Sequence, residues 1–384
     1  MAPANAAVQG HCIPAFEVLR QRFAALFASG DELGASLAMT IEGETVVDLW
    51  GGWADPARTR PWEADTLTNV WSTTKPMTSL CALLLIERNE LDPDAPVARY
   101  WPEFAANGKS QVLVRHVLGH TSGVSGWAEP VTVEDVCDWD KSVALLAAQA
   151  PWWTPGTASG YHALNYGHLV GELVRRITGS TLGRFFAEEI AAPLKADFFI
   201  GLPDSEAERV ANVVPPPPLP IDFTQMDPAS PMVRTLTNPL LDPSVSWSPA
   251  WRRAEIGAAN GHGNARSVAR IQSIVANGGA VGGVRLLSPR TIACIFEPQA
   301  DGIDLVMGLP MKMGLGFGLP KLELAPFIPE GRRCFWGGWG GSLVIADADR
   351  HVCFAYVMNK MAPDLVGGPN VAMLTACAYE ILGR

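Results

Sequence analysis

Segments that read as strands lie at both ends of this chain, and most of what separates them reads as helix and loop. Ala38-Met39-Thr40-Ile41 and Thr45-Val46-Val47-Asp48-Leu49-Trp50 flank the turn Glu42-Gly43-Glu44, a hairpin rich in β-branched and aromatic residues that Gly51-Gly52 is expected to end. Near the other end, Ser342–Ala346 and Val352–Met358 flank a turn at 347–350. Two distant hairpins bury their apolar faces most simply in one shared sheet. The predicted fold class is therefore α+β. A sheet domain is expected from residues 1–100 and 258–384, with a mainly helical lobe, 101–257, inserted between them. Helices are predicted at 14–29, where Phe16, Leu19, Phe23, Leu26 and Phe27 form one stripe, and at 143–150, 167–177 and 370–382. Another at 267–276 is closed by Asn277-Gly278-Gly279. The stretch 200–251, with Pro215-Pro216-Pro217-Pro218, reads as long surface loops crossing between lobes.

Ser72-Thr73-Thr74-Lys75 opens the most apolar run of the chain. If a helix starts at Ser72 and runs through Ile86, its hydroxyl and the Lys75 amine share a face within reach of each other. Pro76 suits such a first turn, where a missing N–H costs least. The plain alternative is a serine cap followed by a surface lysine. A serine hydroxyl attacks a carbonyl only with a base in reach and donors for the oxyanion. Tyr161, after the Pro155-Gly156 turn, and the glycine-dense stretch Trp336-Gly337-Gly338-Trp339-Gly340-Gly341 are candidates to complete a site.

Composition narrows the function. A chain of 384 residues, 48% hydrophobic, has the size of an enzyme body. A net charge of -10, with no lysine or arginine cluster, argues against nucleic-acid and anionic-membrane partners. Seven cysteines, an odd number with no close pair, suit reduced thiols in the cytoplasm better than a disulfide or zinc framework. Met1–Val8 carries no basic residue and no long apolar core, so no signal peptide is expected. The apolar run near 80–86 is too short to span a bilayer.

Taken in order, Ser72-Thr73-Thr74-Lys75, Tyr161-His162-Ala163 and Trp336-Gly337-Gly338 resemble the three motifs of serine β-lactamases and penicillin-binding proteins. His120-Thr121-Ser122-Gly123 and Tyr356-Val357-Met358-Asn359 resemble further segments of that group. Within it, the chain looks most like the β-lactamase-like carboxylesterases of family VIII. The resemblance implies a β-lactamase-like fold and no cofactor or metal. It makes Ser72 the acylated nucleophile, activated by Lys75 and Tyr161, with either as the base. The backbone N–H groups of Ser72 and Trp339 would form the oxyanion hole.

Two departures point toward one activity. Trp336 stands where a lysine would hold a substrate carboxylate, with no cation replacing it locally, and Ala163 stands where an asparagine would bond an amide. Both favour small neutral esters with short acyl chains over β-lactams. A β-lactamase or acyltransferase on the same residues is the alternative, and a binding protein with a decayed site a more distant one. Trp336, Gly337 and Gly338, with Trp339, Trp127 and Trp152 or Trp153, are expected to wall an apolar site. Other patterns carry less. Gly123-Val124-Ser125-Gly126-Trp127 fails the G-x-S-x-G esterase pattern, and His116 and His120 lack the intervening glutamate of a zinc helix. Asn260-Gly261-His262-Gly263-Asn264 reads as a turn, and His162 as an outward-facing neighbour of Tyr161.

Overall fold

A computed structural model describes residues 7–217, 221–363 and 367–383 of the chain. The leader reading of Met1–Val8 falls mostly outside them, as does Pro218 of the proline run. Among the described residues, nine strands form one antiparallel sheet. They are β1 (Gln9–Cys12), β2 (Gly34–Ile41), β3 (Glu44–Gly52), β4 (Ala300–Ile303), β5 (Pro310–Met313), β6 (Gly318–Leu319), β7 (Arg333–Gly337), β8 (Leu343–Asp347) and β9 (Val352–Met358). Their order is β1-β3-β2-β9-β8-β7-β6-β5-β4. The two predicted hairpins meet where β9 pairs β2, Phe354 opposite Met39. All seven residues of β9 are buried, so it reads as a continuous apolar run rather than an alternating one.

The N-terminal hairpin is longer than expected at both ends. β2 begins at Gly34, and Gly51 and Gly52 stay in register opposite Ala35 and Gly34 instead of ending the strand. The glycine is required at Gly52, where φ is +81° and a Cβ would lie 2.1 Å from the Leu33 carbonyl oxygen. Ile41 pairs directly with Glu44, leaving Glu42 and Gly43 as a two-residue loop with positive φ at both positions.

Five helices matter for the site: α1 (Glu17–Ser29), α2 (Lys75–Glu87), α3 (Tyr166–Thr178), α4 (Ala265–Ala276) and α5 (Pro369–Ile381). α4 packs across β2, β8 and β9, α1 against α5, and α2 against α3. Every residue of α2 from Lys75 to Leu85 is buried, which is the environment its mostly apolar sequence calls for. The described residues of 200–251 form loops broken by short helical turns, such as Pro231–Leu236 and Pro249–Arg253, both capped by a serine hydroxyl.

Candidate active site

Ser72 does not start α2. Trp71–Thr74 form a separate 3-10 turn, and α2 begins at Lys75 with Pro76 in its first turn. The Ser72 hydroxyl caps no helix, since it faces Tyr161 across 2.5 Å. The turn is possible because Trp71 adopts a left-handed φ of +50°, a conformation that costs a bulky residue about 1–3 kcal/mol. The Trp71 indole packs between Trp251 and Trp339, with ring centroids 5.8 and 5.1 Å away. Threonines hold the turn from below. Thr74 Oγ1 donates to Trp71 O at 2.6 Å and accepts from Gly261 N at 2.8 Å. Thr73 Oγ1 lies 2.9 Å from Ser342 Oγ, which donates to Val70 O at 2.9 Å.

This bracing explains two glycine-rich stretches. The segment expected as a turn at 260–264 instead contributes His262–Gly263, paired with Thr68–Asn69 just before the Ser72 turn. A Cβ at Gly261 would sit 2.5 Å from Thr74 Oγ1 and from Phe198. Gly338 does not line the cavity as expected. A Cβ there would come within 2.3 Å of Val70 O and 2.2 Å of Ser342 Oγ, so its role is to let the end of β7 approach the Ser72 turn.

Lys75 is fully buried, which excludes a surface lysine. Its Nζ lies 3.1 Å from Ser72 Oγ, 2.8 Å from Tyr161 OH, and 2.8 and 3.0 Å from the carbonyl oxygens of Ala163 and Ala258. Burial drives its pKa well below that of a free lysine. Nζ donates to both carbonyls and lies within hydrogen-bond distance of both hydroxyls. Burial pushes Tyr161 the other way, up to about 12, against hydrogen bonds with Ser72 and Trp336 that favour the anion. Burial thus favours the uncharged form of both groups.

Tyr161 is held by a residue that gave no signal in the sequence. Asp304, fully buried, accepts hydrogen bonds at Oδ1 from the backbone N–H groups of Tyr161, Val306 and Met307, at 2.9–3.0 Å. The histidines also differ from expectation. His162 is buried, 2.6 Å from both Ser122 Oγ and Gly160 O, and its pKa falls to about 4. His120 accepts from His162 N and stacks between Tyr166 and Trp336, 4.8 and 5.3 Å away. His116 instead accepts from Leu113 N, so the pair does not converge.

The backbone N–H groups of Ser72 and Trp339 have no hydrogen-bond acceptor among the described residues. They border a cavity of ≈ 210 Å³ lined by Ser72, Tyr161, Trp336, Gly337 and Trp339 and otherwise mostly by aliphatic side chains. Trp127 and Trp152, expected in its wall, do not line it. Trp127 is in the core, donating to Ser142 O at 3.2 Å beside His168. Trp152 lies under the Arg234 guanidinium, 3.9 Å from its ring centre. Trp153 donates to Ala158 O. Aromatic composition alone could not separate wall from core. The structure adds Lys312 to the lining, whereas the sequence offered no cation near the third motif.

Fold and site together define the class. Residues 19–376 match the Beta-lactamase family, and the chain belongs to that family. Among similar proteins, the Esterase/beta-lactamase LipL of Mycobacterium tuberculosis is 34% identical over 374 residues, covering 94% of this chain and 84% of LipL. The crystal structure of a family VIII carboxylesterase superposes with a TM-score of 0.92 at 42% identity, covering 97% of this chain and 99% of that one. A penicillin-binding protein homologue from Caulobacter crescentus gives 0.90 at 39% identity, covering 97% and 99%.

Proposed function

We propose that the protein is a serine carboxylesterase that hydrolyses short-chain esters through an acyl-enzyme on Ser72, without cofactor. The observation that carries this reading is the triangle of Ser72 Oγ, Tyr161 OH and Lys75 Nζ, with edges of 2.5, 2.8 and 3.1 Å. Its apex faces an apolar cavity and two unused backbone donors. Relatives named as esterases support the same activity.

The chemistry runs through neutral groups. As Ser72 Oγ bonds to the ester carbonyl carbon, its proton passes to Tyr161 and the phenol proton to the Lys75 lone pair, giving an ammonium and a tetrahedral oxyanion. The Ser72 and Trp339 N–H groups receive that oxyanion, a contact whose loss typically costs about 10²–10³ in rate. Collapse breaks the bond to the alkoxide, which leaves with the proton of Tyr161, and Lys75 reprotonates the phenol. Water repeats the cycle on the acyl-enzyme. The site draws Ser72 and Lys75 from residues 1–100, Tyr161 from 101–257 and the oxyanion strand from 258–384. We take these boundaries as the division between sheet unit and inserted lobe.

A cytoplasmic location is part of the proposal, suggested by seven cysteines of which none forms a disulfide. No helix among the described residues is long and apolar enough to cross a membrane. Hydrolysis of p-nitrophenyl acetate, butyrate and octanoate, measured beside the β-lactam nitrocefin, tests the activity. Short esters should turn over fast, nitrocefin slowly, and Ser72→Ala should abolish both. Nitrocefin cleaved as well as the esters would favour a β-lactamase, and no ester turnover would sink the esterase reading.

A further inference from the structure

Lys312 is the one charged side chain among the residues lining the catalytic cavity, and it is half-buried. Among the described residues it makes no hydrogen bond or ion pair. A carboxylate stands directly opposite it: Asp301 of β4 pairs with Lys312 of β5. Asp301 is already engaged, however, accepting from Lys321 Nζ at 2.7 Å. Arg234, the neighbour of the lining residue Thr235, stacks on Trp152 and does not line the cavity. A half-buried lysine side chain that no carboxylate bonds, at the edge of an otherwise uncharged apolar cavity, is complementary to an anion that arrives with the substrate.

The position of Lys312 says which part of the substrate carries that anion. β5 lies two strands from β7, about 10 Å at the usual strand spacing, so the ammonium addresses a group several atoms from the scissile carbonyl rather than the carbonyl itself. Lys312 and its neighbour Met311 line the same cavity as Tyr161 and Met307, and Met311 packs with Trp336 and Tyr161. In the mechanism above Tyr161 protonates the leaving alkoxide, so this wall borders the leaving-group side.

We propose that the enzyme's preferred substrates are esters whose alcohol portion bears a carboxylate, held by Lys312. The inference rests on the esterase reading but can fail separately from it. The tryptophan of the third motif is then not a simple loss of anion recognition. The cation is supplied from β5 instead of β7.

The test compares 3-acetoxybenzoate, anionic on its alcohol side, with its neutral methyl ester, and with p-nitrophenyl hemisuccinate, anionic on its acyl side. Wild type should show the lower KM for 3-acetoxybenzoate than for the methyl ester. Lys312→Met should raise the KM for 3-acetoxybenzoate about ten- to a hundredfold, the range for one charged hydrogen bond, relative to any change in the KM of the other two substrates. Equal effects on the charged and neutral acetates, or none, would overturn the proposal, and an effect confined to the hemisuccinate would overturn its leaving-side assignment. Turnover of the methyl ester, lost in Ser72→Ala, reports on the esterase reading alone. Calorimetric binding of 3-acetoxybenzoate to Ser72→Ala and to Ser72→Ala/Lys312→Met needs no turnover. Weaker binding by the double variant is expected, and equal binding would count against the anion site.

Discussion

At the scale of single residues the account turns on protonation. Lys75 is pushed well below the ordinary lysine value by burial, whereas Tyr161 is raised to about 12. The amine must be neutral to accept the serine proton, so kcat/KM should climb with pH as Lys75 deprotonates. Tyr161 remains a phenol throughout, so it contributes no falling limb until about pH 12. A profile that falls through neutral pH would place the required proton elsewhere. Tyr161→Phe removes the relay while keeping the ring, and a kcat loss of about 10²–10⁴ is expected, with the fold unchanged by circular dichroism. Asp304→Asn tests positioning: it keeps the shape but weakens the acceptor of the Tyr161 N–H, so kcat should fall while KM for a neutral ester holds. Full activity in that variant would show that the tyrosine is placed without it.

Between elements, the site depends on how closely the end of β7 approaches the Ser72 turn. Gly338→Ala would force a methyl against Val70 O and Ser342 Oγ, and overpacking of this kind costs about 1–3 kcal/mol. A lowered Tm with loss of activity is expected. Gly302→Ala, where nothing lies within 4 Å of the added carbon, serves as the control and should be silent. Equal behaviour of the two variants would mean that this approach is not needed. These elements also show what the sequence could and could not reveal. The central strands were legible because β9 and its neighbours are long and rich in β-branched residues. β4, β5 and β6 were not: Ala300-Asp301-Gly302-Ile303, Pro310-Met311-Lys312-Met313 and Gly318-Leu319 are short, with glycine and proline and little alternation. Lys312 and Asp304 were missed for that reason, since their relation to Tyr161 exists only through the pairing of those strands. Ser72, Lys75 and Tyr161 were legible because the first two are local in sequence and the third sits in a recognisable motif. The left-handed Trp71 had no local signal, because its packing partners Trp251 and Trp339 are distant in the sequence.

In the whole molecule, Glu32 ties the two ends of the chain together. It precedes β2 and accepts from Tyr356 of β9 and, at 2.8 Å, from Asn370 at the start of α5. Burial raises its pKa from 4.5 to about 7, so between those values the folded protein holds a proton that the unfolded chain has lost. The stability this group contributes is complete below 4.5 and is lost as pH rises through 7. Glu32→Gln should therefore gain Tm relative to wild type on going from about pH 5 to about pH 8, and a constant difference would refute the linkage.

The central claim is that Ser72 carries the acyl group. Rapid quenching of the enzyme during turnover of p-nitrophenyl butyrate, followed by peptide mass spectrometry, tests it directly. A butyryl adduct on the peptide containing Ser72, absent from Ser72→Ala, is the expected result. Ester turnover with no adduct under quench, or an adduct on another residue that survives Ser72→Ala, would contradict it.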